Sequence, residues 1–251
     1  MLGSPVDRIT LAGAVNRILD LAESGRQGAG EPGGHGWTRW IVTANPEILI
    51  AARRDATMAR ILEEAALVVP DGIGVVFAAR WLGAPVPERV PGIELLEALL
   101  GAAAERGLRP YLLGARPEVI AEAARRIEQR FTGLRLAGWR DGYFALDDPR
   151  PVADVANSDA DLLFVGMGAE RELKWIYAHR QRLGVPVAIG VGGSFDVLSG
   201  RLRRAPVWMR RVHLEWLYRL LREPARWRRQ LALPAFALAV ATERWRKGAG
   251  R

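Results

Sequence analysis

Polar residues that could take part in a reaction follow two short apolar runs of this sequence. Thr43 and Asn45 follow the first run, and Asp71 stands between Pro70 and Gly72 after the second. A carboxylate in such a position can accept a proton from a hydroxyl group and so act as a general base. Asp71 equally suits the N-terminal cap of a helix, and the residue pattern alone favours neither role.

Thr43 and Asn45 also have structural interpretations. Asn45 precedes Pro46, where a helix is expected to begin, so its side chain suits a turn or a helix cap. Thr43 fits an ordinary strand end. Taken singly, each of the two is better explained by structure than by function.

Glycine-containing turns follow three further apolar runs and suit phosphate binding, because small residues let backbone amides approach a ligand. These turns are Gly114, Gly166-Met167-Gly168, and the segment Gly190 to Asp196 that includes Gly192 and Gly193. The last turn begins a G-x-G pattern, but Phe195 occupies the third glycine position of the dinucleotide fingerprint. A phosphate-loop motif is absent from the sequence. We therefore predict no cofactor.

The elements that position these residues are short apolar strands alternating with helical segments. The predicted strands are Arg39 to Val42, Leu67 to Val69, Pro110 to Leu113, Leu134 to Gly138, Leu162 to Val165 and Val187 to Ile189. Apolar residues recur every three or four positions in segments 46–65, 92–107, 117–131 and 170–184. This alternation predicts an α/β fold with a doubly wound, mainly parallel, Rossmann-like sheet. Ligands of such sheets bind beyond the carboxyl ends of the strands, where the residues above lie.

The C-terminal segment differs from the rest of the chain in charge and pattern. Residues 201–251 contain 14 Lys or Arg and three Glu, a net charge of +11, whereas the preceding residues carry a net charge of −3. We expect an α/β core over residues 1–199 and a helical, arginine-rich appendage over residues 200–251, interrupted at Pro206, Pro224 and Pro234. Its longest apolar run, residues 231–241, is too short for a membrane span. The glycine-rich residues 24–36 are expected to form a surface loop.

Composition excludes several classes of site. Cysteine is absent, and His35, His179 and His213 are the only histidines, so thiol chemistry is excluded and a metal cage is not expected. The Asp159-Ala160-Asp161 segment resembles a metal-binding D-x-D motif, but it precedes its strand and belongs at the opposite edge of the sheet. The N-terminal residues lack the pattern of an export signal, which favours a cytoplasmic protein.

Taken together, the ordered segments resemble the WecG/TagA/CpsF glycosyltransferases, also called glycosyltransferase family 26. The resemblance runs from Thr43 to about Arg229. It rests on Thr43 to Glu47, Pro70 to Gly72, Arg89-Val90-x-Gly92, Val165 to Gly168, Lys174 to Ile176, Gly190 to Asp196, Arg204 to Pro206, and Glu215 to Arg229.

The resemblance implies an inverting, metal-independent transfer from a UDP-sugar to a saccharide linked to undecaprenyl diphosphate. The sugar would be N-acetylmannosamine, its uronic acid or a hexose. Asp71 would be the general base, with Thr43 and Asn45 beside it, and Arg89 would bind substrate or offset diphosphate charge. Three tail arginines would help to complete the site and contact the membrane, namely Arg219, Arg226 and Arg229.

Glu172 departs from the family pattern, which usually has Gln at the matching position after the glycine turn. An ionised carboxylate only accepts hydrogen bonds, whereas an amide also donates them, so the contact made at this position is open. Glu172 is predicted to bind substrate. The competing interpretation is a solvated helix residue paired with Arg171 or Lys174.

The expected partners are a UDP-sugar, a lipid-linked acceptor and the anionic inner face of the cell membrane, to which the protein would attach peripherally. A homo-oligomer is compatible with the sequence. Two alternatives are a nucleotide-sugar enzyme with a soluble acceptor and a nucleic-acid-binding protein, since interleaved Arg and Trp residues also suit that role. Binding to nucleic acid would explain the tail but would leave the turns around Asp71 without a role, and we therefore predict no nucleic-acid partner. A membrane adaptor without sugar-nucleotide binding is a third class.

Overall fold

A six-stranded parallel sheet forms the centre of the molecule. The computed structural model describes residues 1–28, 37–206, 208–209, 215–222 and 231–249. The strands are β1 (Arg39–Ala44), β2 (Leu67–Pro70), β3 (Pro110–Gly114), β4 (Gly138–Arg140), β5 (Leu162–Gly166) and β6 (Val187–Gly190). Their order in the sheet is β2-β1-β6-β5-β3-β4, and every pair is parallel. The predicted doubly wound, Rossmann-like α/β fold is confirmed.

Helices cover both faces of the sheet. In the core they are α1 (Leu11–Gly28), α2 (Pro46–Arg54), α3 (Ala56–Glu63), α4 (Ile73–Trp81), α5 (Gly92–Arg106), α6 (Pro117–Arg130), α7 (Arg150–Ala156), α8 (Ala169–His179) and α9 (Ser194–Leu198). Helices α1, α5, α6 and α9 pack on one face, and α2, α3, α4, α7 and α8 contribute to the core on the other.

Alternation along the strands divides the apolar side chains between these two cores. Ile41 belongs to the first core, whereas its neighbours Trp40 and Val42 belong to the second. Phe164 and Val165 of β5 divide in the same way. Both faces of each central strand are therefore buried, which explains why these strands are near-continuous apolar runs.

The predicted position of the fourth strand was wrong. The strand begins at Gly138 and ends at Arg140, at the edge of the sheet, whereas the prediction ended at Gly138. Leu134, which began the predicted strand, is buried in the first core, and its amide donates to Phe131 O at 3.0 Å in a turn after α6. Its apolar character therefore reflects the packing of that turn rather than a strand.

The first residues of the predicted glycine-rich loop are helical instead. Helix α1 continues to Gly28, so residues 24–28 are helical, and residues 29–36 lie outside the described part of the chain. A Cβ at Gly25 would lie 2.5 Å from Pro186 Cβ, so a larger residue would clash where the helix crosses this segment. Glycine at this position therefore serves close packing within a helix.

The long helical segment after β1 divides at Asp55 into α2 and α3. The Asp55 carboxylate accepts from Thr57 N at 2.8 Å and caps α3. It also pairs with Lys174 Nζ at 2.7 Å, and this contact is the main reason that the pKa of Asp55 lies below its usual value. Trp175 and Ile176, which follow Lys174, are buried in the second core. The Lys-Trp-Ile segment thus fastens α8 to α3.

The described part of the tail consists mainly of α10 (Glu215–Arg222) and α11 (Ala232–Ala249). Helix α11 packs against α2 and α4 and buries Phe236, Ala239 and Val240 in the second core. Pro234 lies in the first turn of α11 and does not interrupt it, because the first turn of a helix tolerates proline. Within the described residues, every helix falls short of the length and apolar character needed to cross a membrane.

Candidate active site

A cavity of about 450 Å³ opens at the carboxyl edge of the sheet, as the fold predicts. Its wall combines strand ends, the start of α5 and parts of both tail helices. The polar and charged lining residues are Thr43, Asn45, Glu47, Asp71, Arg89, Glu172, Ser194 and Glu215. This volume lies within the range of small-molecule sites.

Asp71 lines this cavity directly after the end of β2. Its backbone N–H donates to Ala44 O at 2.8 Å, which extends the pairing of β1 and β2 by one residue. The N-cap of α4 is Gly72, in a left-handed conformation with φ of 93°, so Asp71 is not the cap that the alternative interpretation expected. The fold thus places an acid at the cavity wall without using it as a helix cap.

Thr43 and Asn45 line the same cavity and also make structural hydrogen bonds. The buried Thr43 hydroxyl donates to Gly190 O at 3.2 Å and links β1 to β6. The Asn45 side-chain oxygen accepts from Ile48 N at 3.0 Å, which confirms the interpretation of Asn45 as the cap of α2. That bond does not use the Asn45 side-chain NH₂, which keeps its capacity to donate.

Glu172 is a buried residue of the cavity lining, so the competing interpretation of a solvated helix residue was wrong. Only 2% of its surface is exposed. One carboxylate oxygen accepts from Met167 N and Gly168 N, and the other accepts from Gly192 N, each at 3.0 Å. Glu172 therefore ties the turn after β5 to the turn after β6, and a carboxylate suits three N–H donors better than an amide would.

The turn after β6 brings glycines to the cavity but leaves one predicted residue outside it. Gly192 and Gly193 line the cavity, and Gly192 adopts a φ of +54°. A Cβ at Gly192 would meet nothing within 4 Å, so this backbone faces open space. Asp196 lies on α9 and is not among the lining residues, and its carbonyl accepts from Leu202 N at 2.8 Å.

Arg89 lies at the cavity wall, as predicted, and is paired with the tail. Its guanidinium donates to the Glu215 carboxylate at 3.1 Å. Arg204 also approaches Glu215, at 3.9 Å, and donates to Glu94 at 2.7 Å. The sequence analysis included Glu215 only as the first residue of the segment Glu215 to Arg229 and did not predict that it lines the site. Its position as one of three acids in a strongly basic tail was the available signal.

The tail contributes Trp216, Ala232 and Leu233 to the cavity wall. Arg219 lies on α10, but the position of its side chain is outside the described residues, as are Arg226 and Arg229. These three predicted substrate contacts therefore stay predictions.

The metal-ligating side chains that the structure describes do not form a cluster at this site. Within the described ranges, no three His, Asp or Glu residues converge as a metal site would require. Asp161 precedes β5 and accepts from Arg109 N at 2.8 Å, and Asp159 also pairs with Arg109. The D-x-D segment therefore lies at the amino edge of the sheet, opposite the cavity, as its place in the sequence predicted.

The fold and the cavity define a doubly wound α/β protein with a ligand site at the carboxyl edge of its sheet. A model of the glycosyl transferase WecG/TagA/CpsF family matches residues 1–250, and the chain belongs to that family.

Curated relatives agree with this assignment. An N-acetylglucosaminyldiphosphoundecaprenol N-acetyl-β-D-mannosaminyltransferase of Bacillus spizizenii is 43% identical over 202 residues, which cover 80% of this chain and 78% of the relative. Proteins of the same name from Bacillus subtilis and Staphylococcus aureus are 39% and 36% identical, over 81% and 80% of this chain and 79% of each relative. The chain is therefore a glycosyltransferase.

Proposed function

We propose that this enzyme inverts the anomeric centre as it transfers a sugar from a UDP-sugar to a saccharide on undecaprenyl diphosphate, without a metal ion. The observation that carries the proposal is Asp71 at the wall of a cavity that also contains Arg89. The names of the relatives support a lipid-linked acceptor, and among the candidate sugars they favour N-acetylmannosamine over its uronic acid or a hexose.

In this proposal Asp71 acts as the general base. Its carboxylate accepts the proton of the acceptor hydroxyl while the hydroxyl oxygen forms a bond to the anomeric carbon. The bond between that carbon and the diphosphate of UDP breaks on the opposite face, which inverts the centre. UDP leaves with the bonding electron pair, and nearby cationic and amide groups offset its charge.

Arginine and glycine residues would hold the diphosphate. Arg89 presents guanidinium N–H groups at the wall, and the Arg219, Arg226 and Arg229 side chains are proposed to join it. Gly168, Gly192 and Gly193 let phosphate oxygens approach the backbone because they carry no Cβ. Asp196 is proposed to contact a part of the substrate that extends beyond the described cavity.

The outer face of α11 is proposed to bind the anionic inner surface of the cell membrane. Leu231, which directly precedes the helix, is 56% exposed, and Leu238 and Trp245 on the helix are 71% and 76% exposed, while the opposite face of the helix is buried in the core. Only this outer face of the apolar run is available to lipid, because the other face packs against the core. Phe77 and Trp81, exposed on the neighbouring α4, extend it. The enzyme would thus meet its acceptor as a peripheral protein.

A panel of UDP-sugars tests the proposal. Ligand at 100 times its dissociation constant stabilises a protein by about 2.7 kcal/mol, so the true donor should raise the melting temperature measurably. Transfer is then compared on a short-chain lipid-linked acceptor and on the free saccharide. Stabilisation by single-stranded DNA alone, without a response to any UDP-sugar, would contradict the proposal.

A further inference from the structure

Four charged residues form an alternating chain between the core and the tail. In order they are Glu94, Arg204, Glu215 and Arg89, joined by contacts of 2.7, 3.9 and 3.1 Å. Arg89 and Glu94 belong to the region around the start of α5, whereas Glu215 begins α10. These four charged residues therefore connect the tail to the cavity wall by side-chain contacts rather than by backbone pairing.

Burial of three of the four side chains makes the contacts of Glu215 stronger than ordinary surface pairs, whereas Glu94 is 38% exposed. The side chains of Arg89 and Arg204 are each 19% exposed, and that of Glu215 is 13% exposed. Opposite charges attract more strongly where water is partly excluded, and removal of one partner leaves the other buried without compensation. The two cations and two anions balance, so this group of four residues is neutral only when all four are present.

Two of the four charged residues lie outside the cavity. Arg89 and Glu215 line its wall, but Arg204 and Glu94 are not among the lining residues. Trp216, next to Glu215, also lines the wall. A change at Arg204 therefore alters the cavity indirectly, through Glu215 on α10 and through Glu94 near the start of α5.

The guanidinium groups also keep unused capacity. The Nε atoms of Arg89 and Arg204 are buried and, among the described residues, lack a hydrogen-bond partner. A guanidinium has five N–H donors, so Arg89 can hold Glu215 and still donate to an anion in the cavity. Retention of Glu215 and substrate binding are thus compatible.

We propose that Glu215 is a positioning residue that fixes α10 over the cavity and holds the Arg89 guanidinium at its wall. Arg204 and Glu94 support it from outside. The inference rests on the proposed function, because it assigns to the tail the task of keeping Arg89 ready for the anionic substrate. The tail then contributes to transfer even where membrane binding plays no part.

Substitutions that remove one charge at a time test this proposal in the full-length protein. Arg204→Gln and Glu215→Gln are each expected to lower kcat/KM on a short-chain acceptor in detergent by about tenfold, the loss typical of a charged hydrogen bond. The kcat/KM of the double variant should not fall below that of the less active single variant, because both substitutions break the same network. Arg204→Lys should retain most activity.

Hydrogen–deuterium exchange supplies a readout independent of catalysis. Amides 215–222 should exchange faster in Arg204→Gln and Glu215→Gln than in the wild-type protein, whereas amides of β1 and β6 should be unchanged. Arg201→Gln is the matched control, since Arg201 lies in the same segment and, within the described part of the chain, its side chain makes a single ion pair, with Glu118 at 4.0 Å. It should behave as the wild type in both assays.

Three results would overturn the proposal. They are unchanged exchange of α10, additive losses in the double variant, and a higher kcat/KM in Glu215→Gln, which would mean that Glu215 blocks Arg89. Failure of the proposed function looks different. Wild-type protein without any transfer or UDP-sugar binding, but with faster α10 exchange in Arg204→Gln, would contradict the proposed reaction and leave the positioning role intact.

Discussion

The sheet edge and the tail contribute to one cavity but are held in place by different forces. At the sheet edge, the positioning bonds hold backbone groups: Asp71 N donates to Ala44 O, and the buried Glu172 carboxylate accepts from three backbone amides. In the tail, α10 is attached through the Glu215 ion pairs and α11 through apolar packing around Phe236.

Because of this difference, we expect the sheet edge and the tail to tolerate side-chain substitutions to different degrees. Backbone pairing within a sheet is fixed by the fold and persists through most side-chain changes. Attachment by side-chain charge depends on individual residues, on salt and on the ligands that compete for them. We infer that the sheet edge supplies a fixed reaction centre in which Glu172 is the critical side-chain link, whereas the tail supplies contacts that many single substitutions can adjust.

The largest expected effect comes from Asp71→Asn in the fixed region. Loss of a general base typically lowers the rate by about 10² to 10⁴, because the amide cannot take the acceptor proton. The loss should appear in kcat, with UDP affinity and melting temperature near those of the wild type. Asp147→Asn, a change at an exposed acid away from the cavity, is the control. Near-normal turnover of Asp71→Asn would remove Asp71 from the mechanism.

Glu172→Gln should have the next largest effect, on stability as well as on activity. The amide replaces one accepting oxygen with a donor that faces a backbone N–H, at a cost of about 1.5 to 3 kcal/mol in the free energy of unfolding. Chemical denaturation measures this cost. Glu170→Gln, an exposed change on the same helix, should stay within about 0.5 kcal/mol of the wild type. Equal stability of the two variants would show that the carboxylate is not needed there.

The sheet edge was largely predictable because its signals are local. Buried strands end in turns such as Pro70-Asp71-Gly72, and the carboxyl-edge rule then gathers Thr43, Asn45 and Asp71 at one site. The short edge strand was misplaced because Leu134 owes its apolar character to a packed turn.

Contacts distant in sequence could not be predicted in the same way. Glu172 resembles a surface helix residue, and its burial follows from backbone amides up to 20 residues away. Arg89 and Glu215 are separated by 126 residues, so no spacing pattern indicates their pairing. Family resemblance placed both segments in the site without indicating that they hold each other.

Substitutions on the outer face of α11 are expected to weaken membrane binding, an effect smaller than those at Asp71 and Glu172. Leu238→Ser and Trp245→Ser are each expected to weaken sedimentation with anionic vesicles by about tenfold, since loss of one buried apolar side chain costs about 1.5 to 3 kcal/mol. Transfer to a short-chain acceptor in detergent should be unaffected, because neither residue lines the cavity.

Trp139→Ser is the control for the vesicle measurement, since Trp139 is 48% exposed on β4 and lies away from α11. It should sediment as the wild type does. If instead all three variants bound vesicles equally well, the outer face of α11 would not be the membrane surface.

The smallest expected effect is that of chelation, which should leave transfer unchanged to within about twofold at saturating substrate. Charge compensation can come from arginine and backbone amides fixed before the reaction, and such groups act without a metal ion.

The acids near the cavity have other tasks in this proposal, since Glu172 holds three amides and Glu215 pairs with Arg89. An ion in the cavity would have to bind the other two lining carboxylates, Asp71 and Glu47. The measurement is initial rate with EDTA, followed by addition of Mn²⁺ or Mg²⁺. If EDTA abolished transfer and Mn²⁺ restored it, Asp71 would be reassigned as a metal ligand, and Glu47→Gln should then raise the Mn²⁺ concentration needed for half-maximal rate. With a metal-independent rate, Glu47→Gln should leave the response to Mn²⁺ flat, and arginine and the backbone would carry the leaving-group charge alone.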